Sequence, residues 1–360
     1  MNIPKEEFKE IFNSCQLESM SFSGKDIMIT GGSGFLGSLF KSYFLFLNKY
    51  ILDDPCFIYS VDCYTGRNKP EEEDGKYIKH IEHDICKPFQ SGMLHGGTLD
   101  VIINAAGNAS PKYYSQYSIE TIKVSVDGTI NICELAKDTR YYIQSMPYYK
   151  YSTPKVLNFS SSEVLGTPPD DCVPTDENYI PRIHTMNPRA CYDLGKAYIE
   201  DISYIYKTKR DLDVKVVRLF NCVGRFRQDD FRVLPNYLSA AIKNEPIKVF
   251  GDGLQTRTFS YWTDVLAGCI KVLVRGQDLL YHIGNPNNEI SMLDFAKLVE
   301  KTAGKSNLVK LVDVPDNYKF EPRRRCPSIE KARKELGYEP KVSVEEMVRR
   351  VFDWAVETYV

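Results

Sequence analysis

A glycine-rich string near the N-terminus, Thr30-Gly31-Gly32-Ser33-Gly34-Phe35-Leu36-Gly37, constrains the fold more than any other feature of this 360-residue chain. A strand-like apolar segment precedes the string, and a helix-like segment follows it. Gly31 permits a tight turn, Gly34 lets the backbone approach a pyrophosphate, and Gly37 permits close packing of helix on strand. The free N–H groups at the start of a helix bind phosphate. The string therefore predicts a strand–turn–helix unit, from Thr30 to Gly37 and beyond, that holds a dinucleotide.

The rest of the N-terminal half alternates between strand-like and helix-like segments. Strands are predicted at 26–30, 57–61, 78–83, 101–105, 156–160 and 214–219, and helices at 35–48, 119–137 and 189–206. Such alternation is typical of a parallel sheet with helices on both faces. The fold class expected is therefore α/β, with a Rossmann-type doubly wound parallel sheet.

Chain organisation follows from where this alternation begins and ends. Residues 1–24 are predicted to be a helical extension packed on the surface, because 4–19 have helical periodicity. Residues 25–221 should form the dinucleotide-binding domain. A smaller C-terminal substrate-binding lobe should come mainly from 222–360, where Pro and Gly are frequent, with a contribution from 165–187. The Tyr-rich stretch 138–154 is expected to be a surface or interface loop.

Composition excludes several classes of function. The net charge of −2 provides no basic surplus for nucleic acid or an anionic membrane, and no apolar run is long enough to span a bilayer. The ten cysteines lack a CxxC pair, and the five histidines are dispersed, so neither disulfides nor a metal site are expected. The N-terminus does not resemble a secretory signal. We therefore expect a soluble cytoplasmic protein with no membrane or nucleic-acid partner.

Further candidate cofactor residues lie at the ends of the predicted strands. A carboxylate at Asp62 can bind ribose hydroxyls and repel a 2′-phosphate, which favours NAD over NADP, with Arg67 close by in the sequence. The pair Asp84-Ile85 ends the third strand, where Asp84 can accept a hydrogen bond from adenine or merely cap a loop. Small residues at Ala105-Ala106-Gly107 provide a floor beneath a flat ligand.

A tyrosine and a lysine are the main catalytic candidates. Tyr192 and Lys196 are four residues apart in a predicted helix, so their side chains share a face. A phenol titrates near pH 10, and the positive charges of an ammonium and an oxidised nicotinamide would lower its pKa. Tyr and Lys at this spacing also occur by chance on exposed helices. Here they follow the dinucleotide motif and the string Ser160-Ser161-Ser162-Glu163, which ends a strand.

These residues carry a family resemblance. From about residue 25 to 355, the chain resembles the extended short-chain dehydrogenases/reductases that act on nucleotide sugars, most closely the UDP-glucuronate decarboxylases. The most specific match is Arg189-Ala190-Cys191-Tyr192-Asp193 with Gly195-Lys196. The other matches are Ala109-Ser110-Pro111 with Tyr114, Arg218-Leu219-Phe220-Asn221, Asp229-Asp230-Phe231-Arg232-Val233, Gly251-Asp252-Gly253-Leu254-Gln255-Thr256-Arg257, Gly284-Asn285-Pro286 and Arg325-Cys326-Pro327-Ser328-Ile329.

The resemblance implies a role for each matching residue. Tyr192 would be the base, with Lys196 as its partner, and both would contact NAD. Ser161 would bind the reacting sugar hydroxyl, and Glu163 would lie near the sugar ring. Arg325 matches a catalytic arginine. Positions implied to contact the nucleotide sugar are Lys123, Asn221, Arg232, Arg257 and Arg325. A homodimer built on helices 119–137 and 189–206 is also implied.

The implied reaction oxidises C4 of UDP-glucuronate, loses carbon dioxide from the resulting β-keto acid, and protonates C5. The product is a 4-keto-pentose or, after reduction, UDP-xylose. A 4,6-dehydratase is a rival, although the acid pair such enzymes carry is here Ser162-Glu163. A 4-epimerase and a non-catalytic NAD(H)-responsive protein also stay open. The chain departs from the family pattern at several positions, and these departures put the exact substrate in question. The departing residues are Leu194, Ala197, Ser125, Val223 and Arg225.

Overall fold

The structure is a computed structural model, and it describes residues 3–65, 75–90, 92–94, 98–144, 154–225, 232–315 and 322–359. The helices are α1 (Lys5–Ser14), α2 (Gln16–Met20), α3 (Phe35–Tyr50), α4 (Pro111–Gln116), α5 (Ser118–Gln144), α6 (Ala190–Arg210), α7 (Val233–Ile242), α8 (Trp262–Arg275), α9 (Met292–Thr302), α10 (Glu330–Leu336) and α11 (Val344–Tyr359). The strands are β1 (Asp26–Thr30), β2 (Phe57–Asp62), β3 (Ile78–Glu82), β4 (Val101–Asn104), β5 (Lys155–Ser161), β6 (Asp213–Leu219), β7 (Cys222–Val223), β8 (Ile247–Phe250), β9 (Thr256–Thr258), β10 (Ser260–Tyr261), β11 (Leu280–Ile283), β12 (Glu289–Ser291) and β13 (Val309–Val312).

Seven strands form one parallel sheet in the order β11-β6-β5-β4-β1-β2-β3. Its central strands are continuous apolar runs, such as Ile27 to Ile29 in β1 and Val101 to Ile103 in β4, because helices cover both faces. The chain proceeds from β1 outward to β3 and then returns to β4 on the other side of β1. Ligands of open parallel sheets bind in the crevice at such a reversal of strand order. The predicted α/β doubly wound fold is confirmed.

Helices α5 and α6 pack closely on each other beside this crevice. Their approach requires a glycine, because a Cβ at Gly195 would be 2.8 Å from the Ser125 hydroxyl oxygen. The predicted helix 119–137 continues to Gln144, so the Tyr-rich stretch begins as helix; its residues 145–153 lie outside the described chain. Among the helices of the described ranges, none is long and apolar enough to cross a membrane.

The N-terminal extension contains the helices α1 and α2, and one face of α1 is buried against the rest of the protein. Phe8, Ile11 and Cys15 are buried in the same hydrophobic cluster as α3 and α8. Leu17, which contributed to the predicted periodicity, is 83% exposed. That cluster also includes side chains of α9 and α11, so the C-terminal part shares its core with the sheet. The division into two lobes at residue 221 stays a prediction.

Candidate active site

The glycine-rich string forms a tight loop between β1 and α3. Gly31 has a φ of +63°, which favours glycine, and a Cβ there would be 2.7 Å from the Ala105 carbonyl oxygen. A Cβ at Gly37 would be 2.1 Å from the Gly31 carbonyl oxygen. Gly34 immediately precedes α3, whose first two residues are Phe35 and Leu36. The loop backbone therefore reaches its position only because side chains are missing at these glycines.

Asp62, at the end of β2, holds this loop. Its carboxylate accepts hydrogen bonds from the backbone N–H groups of Ser33 and Tyr64, at 2.9 Å each. Asp84 accepts one from the Cys86 N–H at 3.0 Å, so the capping alternative foreseen for it is realised here. The neighbouring Ile85 is buried against α5. The predicted contact of Asp84 with adenine stays a prediction.

The floor of the crevice has room for a flat ligand. It is formed by Ala105 and the two residues that follow, and a Cβ on Gly107 would meet no atom within 4 Å. Together with the start of α3 and the carboxylate of Asp62, this floor fits a dinucleotide. Arg67 lies outside the described residues. Within the described ranges, no group of three or more His, Cys, Asp or Glu residues could hold a metal ion.

Tyr192 and Lys196 lie on the first turns of α6, next to the end of β5. The Lys196 ammonium is 5.7 Å from the centre of the Tyr192 ring and donates to the Phe159 carbonyl oxygen at 2.8 Å. On its other side the Tyr192 ring stacks on Tyr114, with ring centres 5.0 Å apart. Burial lowers the pKa of Lys196 to about 8. The lysine thus has an anchored position on the same helical face as the tyrosine, as its spacing predicts.

The electrostatics of Tyr192 differ from the sequence expectation. Burial raises the pKa of Tyr192 to about 12, and a hydrogen bond with Ser161 and the charge of Arg232 only partly oppose this rise. The expectation relied on two cations, Lys196 and an oxidised nicotinamide. Lys196 by itself does not offset the cost of removing a phenolate from water. The positive charge of the second cation, when bound, would oppose the effect of burial and favour the phenolate.

Glu163 follows β5 in a short 3₁₀ turn, which Ser161 caps by accepting a hydrogen bond from the Glu163 N–H at 3.3 Å. Its carboxylate accepts hydrogen bonds from Arg325, one of them at 3.0 Å, and from Arg189. Arg325 is only 1% exposed. Burial opposes ionisation of Glu163, but the charges of Arg325 and Arg189 hold its pKa at about 2. Glu163 is therefore a carboxylate throughout the physiological pH range.

Two further ionisable groups complete what we call the arginine cluster, which consists of Glu163, Asp193, Arg189, Arg257 and Arg325. Burial and repulsion from Arg325 lower the pKa of Arg257 to about 9. Burial and the nearby charge of Glu163 raise the pKa of Asp193 to about 7, although Arg189 is 4.0 Å away. Three guanidinium groups thus face two carboxyl groups, one of which is largely protonated below neutral pH. The excess positive charge suits an anionic ligand.

A cavity of about 230 Å³ lies against this cluster. Its floor is formed by Glu163, Asp193, Arg189 and Arg325, and its rim includes the exposed Arg182. The Oδ1 atom of Asp193 accepts no hydrogen bond within the described residues. The cavity joins the cluster to solvent.

The remaining residues predicted to bind the substrate do not all lie near the arginine cluster. Asn221 follows β6 and donates to the Thr258 carbonyl oxygen at 3.0 Å. Arg232 precedes α7, close enough for its charge to act on Tyr192. Lys123 is exposed on α5, and no contact with the arginine cluster is seen in the described part of the chain. The structure therefore brings Arg232, Arg257 and Arg325 to the site, but not Lys123.

Two residues of the cluster were not predicted as site residues. Arg189 and Asp193 both lie in the string around Tyr192 that carries the family resemblance, yet their sequence positions alone assign them no partner. The signal that could have found them is charge: both flank the predicted base on the first turn of a helix. Sequence could not show that Glu163 lies between Arg189 and Arg325.

Fold and site together define a dinucleotide-dependent enzyme with a Tyr and Lys pair beside a charged pocket. A family model described as the NAD dependent epimerase/dehydratase family matches residues 27–284. The chain belongs to this family. This membership confirms the resemblance inferred from the sequence, and the chain is an NAD-dependent enzyme.

Relatives and a solved structure extend the comparison. UDP-glucuronic acid decarboxylase 1 of Danio rerio is 32% identical over 337 residues, covering 92% of this chain and 72% of the relative. UDP-glucuronic acid decarboxylase 3 of Arabidopsis thaliana is 32% identical over 327 residues, covering 89% and 86%. UDP-glucuronic acid 4-epimerase of Bacillus cereus, solved with UDP-glucuronic acid and NAD, superimposes with a TM-score of 0.73 at 22% identity, covering 93% of this chain and 100% of that structure. At that identity the structural likeness concerns the fold alone.

Proposed function

We propose that this enzyme decarboxylates UDP-glucuronate through a 4-keto intermediate, giving a 4-keto-pentose or UDP-xylose. The observation that carries the proposal is the arginine cluster beside Tyr192, which has the excess positive charge that a sugar carboxylate needs. The names of the most similar relatives support the same reaction. NAD fits the crevice beside the glycine-rich loop, and when bound it supplies a positive charge near Tyr192 and a hydride acceptor for C4.

The first chemical step concerns the C4 hydroxyl. Ser161 hydrogen-bonds that hydroxyl, and the Tyr192 phenolate takes its proton as the C4 hydrogen leaves as hydride. Lys196, anchored on the Phe159 carbonyl, stabilises the phenolate. The resulting ketone is β to the C5 carboxylate.

In the second step the bond between C5 and the carboxylate breaks. Carbon dioxide departs, and the electron pair passes to an enolate whose oxygen is the former C4 hydroxyl oxygen. Arg325, almost wholly buried, acts at the substrate carboxylate, and Tyr192, now protonated, donates to the enolate oxygen. A proton from solvent then adds to C5 in place of the carboxylate and yields the 4-keto-pentose. Return of the hydride to C4, with a proton from Tyr192 to the C4 oxygen, would give UDP-xylose.

The charge state of Glu163 concerns the dehydratase alternative. A 4,6-dehydratase needs an acid to protonate the departing C6 hydroxyl, and the charges of Arg325 and Arg189 keep the pKa of Glu163 low, so this residue is a carboxylate and not that acid. A 4-epimerase acting on UDP-glucuronate needs Ser161, Tyr192 and Lys196 and would bind the same sugar carboxylate, so the arginine cluster is compatible with both reactions. The 4-epimerase is therefore the second candidate, and the fate of the carboxylate distinguishes the two.

One experiment tests the proposal. Carboxyl-labelled UDP-glucuronate is incubated with the enzyme and NAD, and released label is measured while the nucleotide sugars are separated and identified. We expect labelled carbon dioxide and a nucleotide pentose or 4-keto-pentose. Retention of the label with formation of UDP-galacturonate would replace the decarboxylase by the epimerase.

A homodimer is part of the proposal. Helices α5 and α6 carry exposed apolar side chains, including Ile119 at 63%, Tyr198 at 51% and Tyr204 at 55%. Exposed apolar groups on two adjacent helices are typical of a surface that is buried by a partner. A dimer mass by light scattering, reduced to the monomer mass by Tyr198→Glu, is the expected result. The predicted cytoplasmic location stays a prediction.

A further inference from the structure

A buried carboxylate on the N-terminal helix binds three donors from distant parts of the chain. Glu7 is 5% exposed, and its Oε1 accepts a hydrogen bond from the Arg225 guanidinium at 2.7 Å. Its Oε2 accepts from the Tyr261 hydroxyl at 2.9 Å and from the Trp262 indole N–H at 2.8 Å. The helix is further docked by Phe8, whose ring meets Trp262 edge-on at 5.9 Å. Both oxygens of Glu7 are thus fully used inside the protein.

These donors come from the ends of a two-stranded parallel sheet. Strand β7 ends two residues before Arg225, and β10 ends at Tyr261. The strands pair Cys222 with Ser260 and Val223 with Tyr261. Glu7 therefore joins the carboxyl ends of both strands.

The same small sheet borders both parts of the active site. Asn221, a predicted nucleotide-sugar ligand, precedes β7, and its carbonyl accepts from the Ser260 N–H. Gly224, which follows β7, lies against Phe35 of the dinucleotide loop: a Cβ there would be 2.9 Å from the Phe35 ring. A shift of β7 would therefore move Asn221 at the nucleotide-sugar site and Gly224 at the dinucleotide loop.

Two features of the sequence meet in this contact. Helix α1 lies outside the 27–284 segment that the family model matches. Arg225 is one of the departures from the family pattern. A buried arginine is costly without an anion, and Glu7 supplies that anion. The N-terminal helix α1 and Arg225, which departs from the family pattern, therefore form one structural unit.

We propose that Glu7 is a positioning residue for this enzyme. Through Arg225, Tyr261 and Trp262 it fixes β7 and β10, and so sets the position of Asn221 toward the nucleotide sugar and of Gly224 against the dinucleotide loop. The part concerning Asn221 rests on the proposed function. The part concerning Phe35 rests only on NAD binding.

The test uses the full-length enzyme with Trp354→Phe, which leaves Trp262 as the single tryptophan of the two. Glu7→Gln keeps the shape of the side chain but removes its charge. We expect it to weaken binding of both NAD and UDP-glucuronate by about tenfold in calorimetry, because a displaced hydrogen-bonded pair costs on the order of one such factor. The emission spectrum of Trp262 should shift, since its N–H loses an ionised acceptor.

Glu6→Gln is the matched control. Glu6 is exposed on the same helix, whereas the partner of Glu10, Arg350, lies over the Tyr261 ring at 5.4 Å and so is not independent of β10. Glu6→Gln should leave the melting temperature and both dissociation constants at the parent values. If the dissociation constants of Glu7→Gln match those of this control, α1 is only a stabilising element and the proposal is wrong.

Arg225→Gln covers the case in which Glu7→Gln does not fold. It should weaken binding of the two ligands like Glu7→Gln, whereas Arg225→Lys, which keeps the charge beside Glu7, should restore most of the affinity. Parent-like affinities in Arg225→Gln would overturn the proposal as well. An enzyme that binds NAD but not UDP-glucuronate would refute the proposed substrate, and the NAD measurements would still decide the role of Glu7.

Discussion

The dinucleotide loop and the arginine cluster lie at the same edge of the sheet but are built on different principles. The loop comes from contiguous residues, and its geometry is set by missing side chains, as the 2.1 Å approach at Gly37 demonstrates. The cluster comes from four separate segments, and Glu163 and Arg325 are 162 residues apart. Its geometry is set by the need to balance buried charges.

This difference has physical consequences. A steric constraint does not depend on pH. The conformation of the loop should therefore be sensitive to side-chain volume and much less sensitive to charge. A buried charge cluster responds to every partner removed and to every proton gained. Tyr192 lies beside the cluster, and the charge of Glu163 raises its pKa.

The largest expected effect is at Tyr192. Tyr192→Phe keeps the ring stacked on Tyr114 but removes the base, so hydride transfer should fall by about 10²–10⁴-fold. NADH absorbance in a single turnover with UDP-glucuronate measures it. NAD affinity should stay at the parent value, because the loop is built elsewhere. Tyr114→Phe is the control, and a loss of hydride transfer as large as that of Tyr192→Phe would contradict the assignment of the base.

The second effect concerns the balance of charge. Arg325→Gln leaves Glu163 buried with one arginine fewer, and removing one partner of a buried ion pair costs about 3–5 kcal/mol of unfolding free energy. Denaturant unfolding measures this cost, and adding Glu163→Gln should recover part of it. Carbon dioxide release should fall more than nucleotide-sugar binding.

The neighbouring arginine provides a matched comparison. Arg324 pairs with Glu289 at 2.7 Å near the surface, where an ion pair contributes about 0–1 kcal/mol. Arg324→Gln should therefore be nearly neutral. Equal losses of unfolding free energy in Arg324→Gln and Arg325→Gln would show that the cluster has no special electrostatic role.

The contrast also explains what sequence could predict. Six of the seven strands of the large sheet, the loop and the spacing of Tyr192 and Lys196 were predictable because local sterics and periodicity determine them, whereas β11 was not predicted. Arg189 and Asp193 were not assigned, because their roles depend on Glu163 arriving from another strand. The contact of Glu7 with Arg225 joins residues 218 positions apart, and helical periodicity indicated only that α1 has an apolar face. Charge pairing across such distances has no local signal.

The third prediction concerns pH and separates the two regions directly. The pKa of Asp193 rises on folding from 3.8 to about 7. Protonated Asp193 therefore stabilises the fold fully below the unfolded pKa, and this stabilisation is lost as the pH rises through the folded pKa. Between about pH 5 and about pH 8 the parent should lose about 2–3 kcal/mol of unfolding free energy that Asp193→Asn does not lose.

Denaturant unfolding at both pH values measures this difference. Asp201→Asn is the control, because Asp201 is exposed on the same helix. It should keep the pH dependence of the parent. A parent-like pH dependence in Asp193→Asn would place its carboxyl group outside the charge balance of the cluster.

The smallest expected effect is at the dinucleotide loop and concerns Asp62. The carboxylate of Asp62 accepts one backbone hydrogen bond from the loop, at Ser33, and one from Tyr64, and we expect it also to bind the ribose hydroxyls and repel a 2′-phosphate. Asp62→Ala should narrow the preference for NAD over NADP by about tenfold, or about 1.4 kcal/mol, in calorimetry.

Asp84→Ala separates this discrimination from general binding. Asp84 follows the neighbouring strand β3, and its expected partner is adenine, which NAD and NADP share, so its loss should weaken both cofactors equally. An unchanged preference in Asp62→Ala would mean that the carboxylate only shapes the loop. The role of Asp62 would then be steric, like that of the loop glycines.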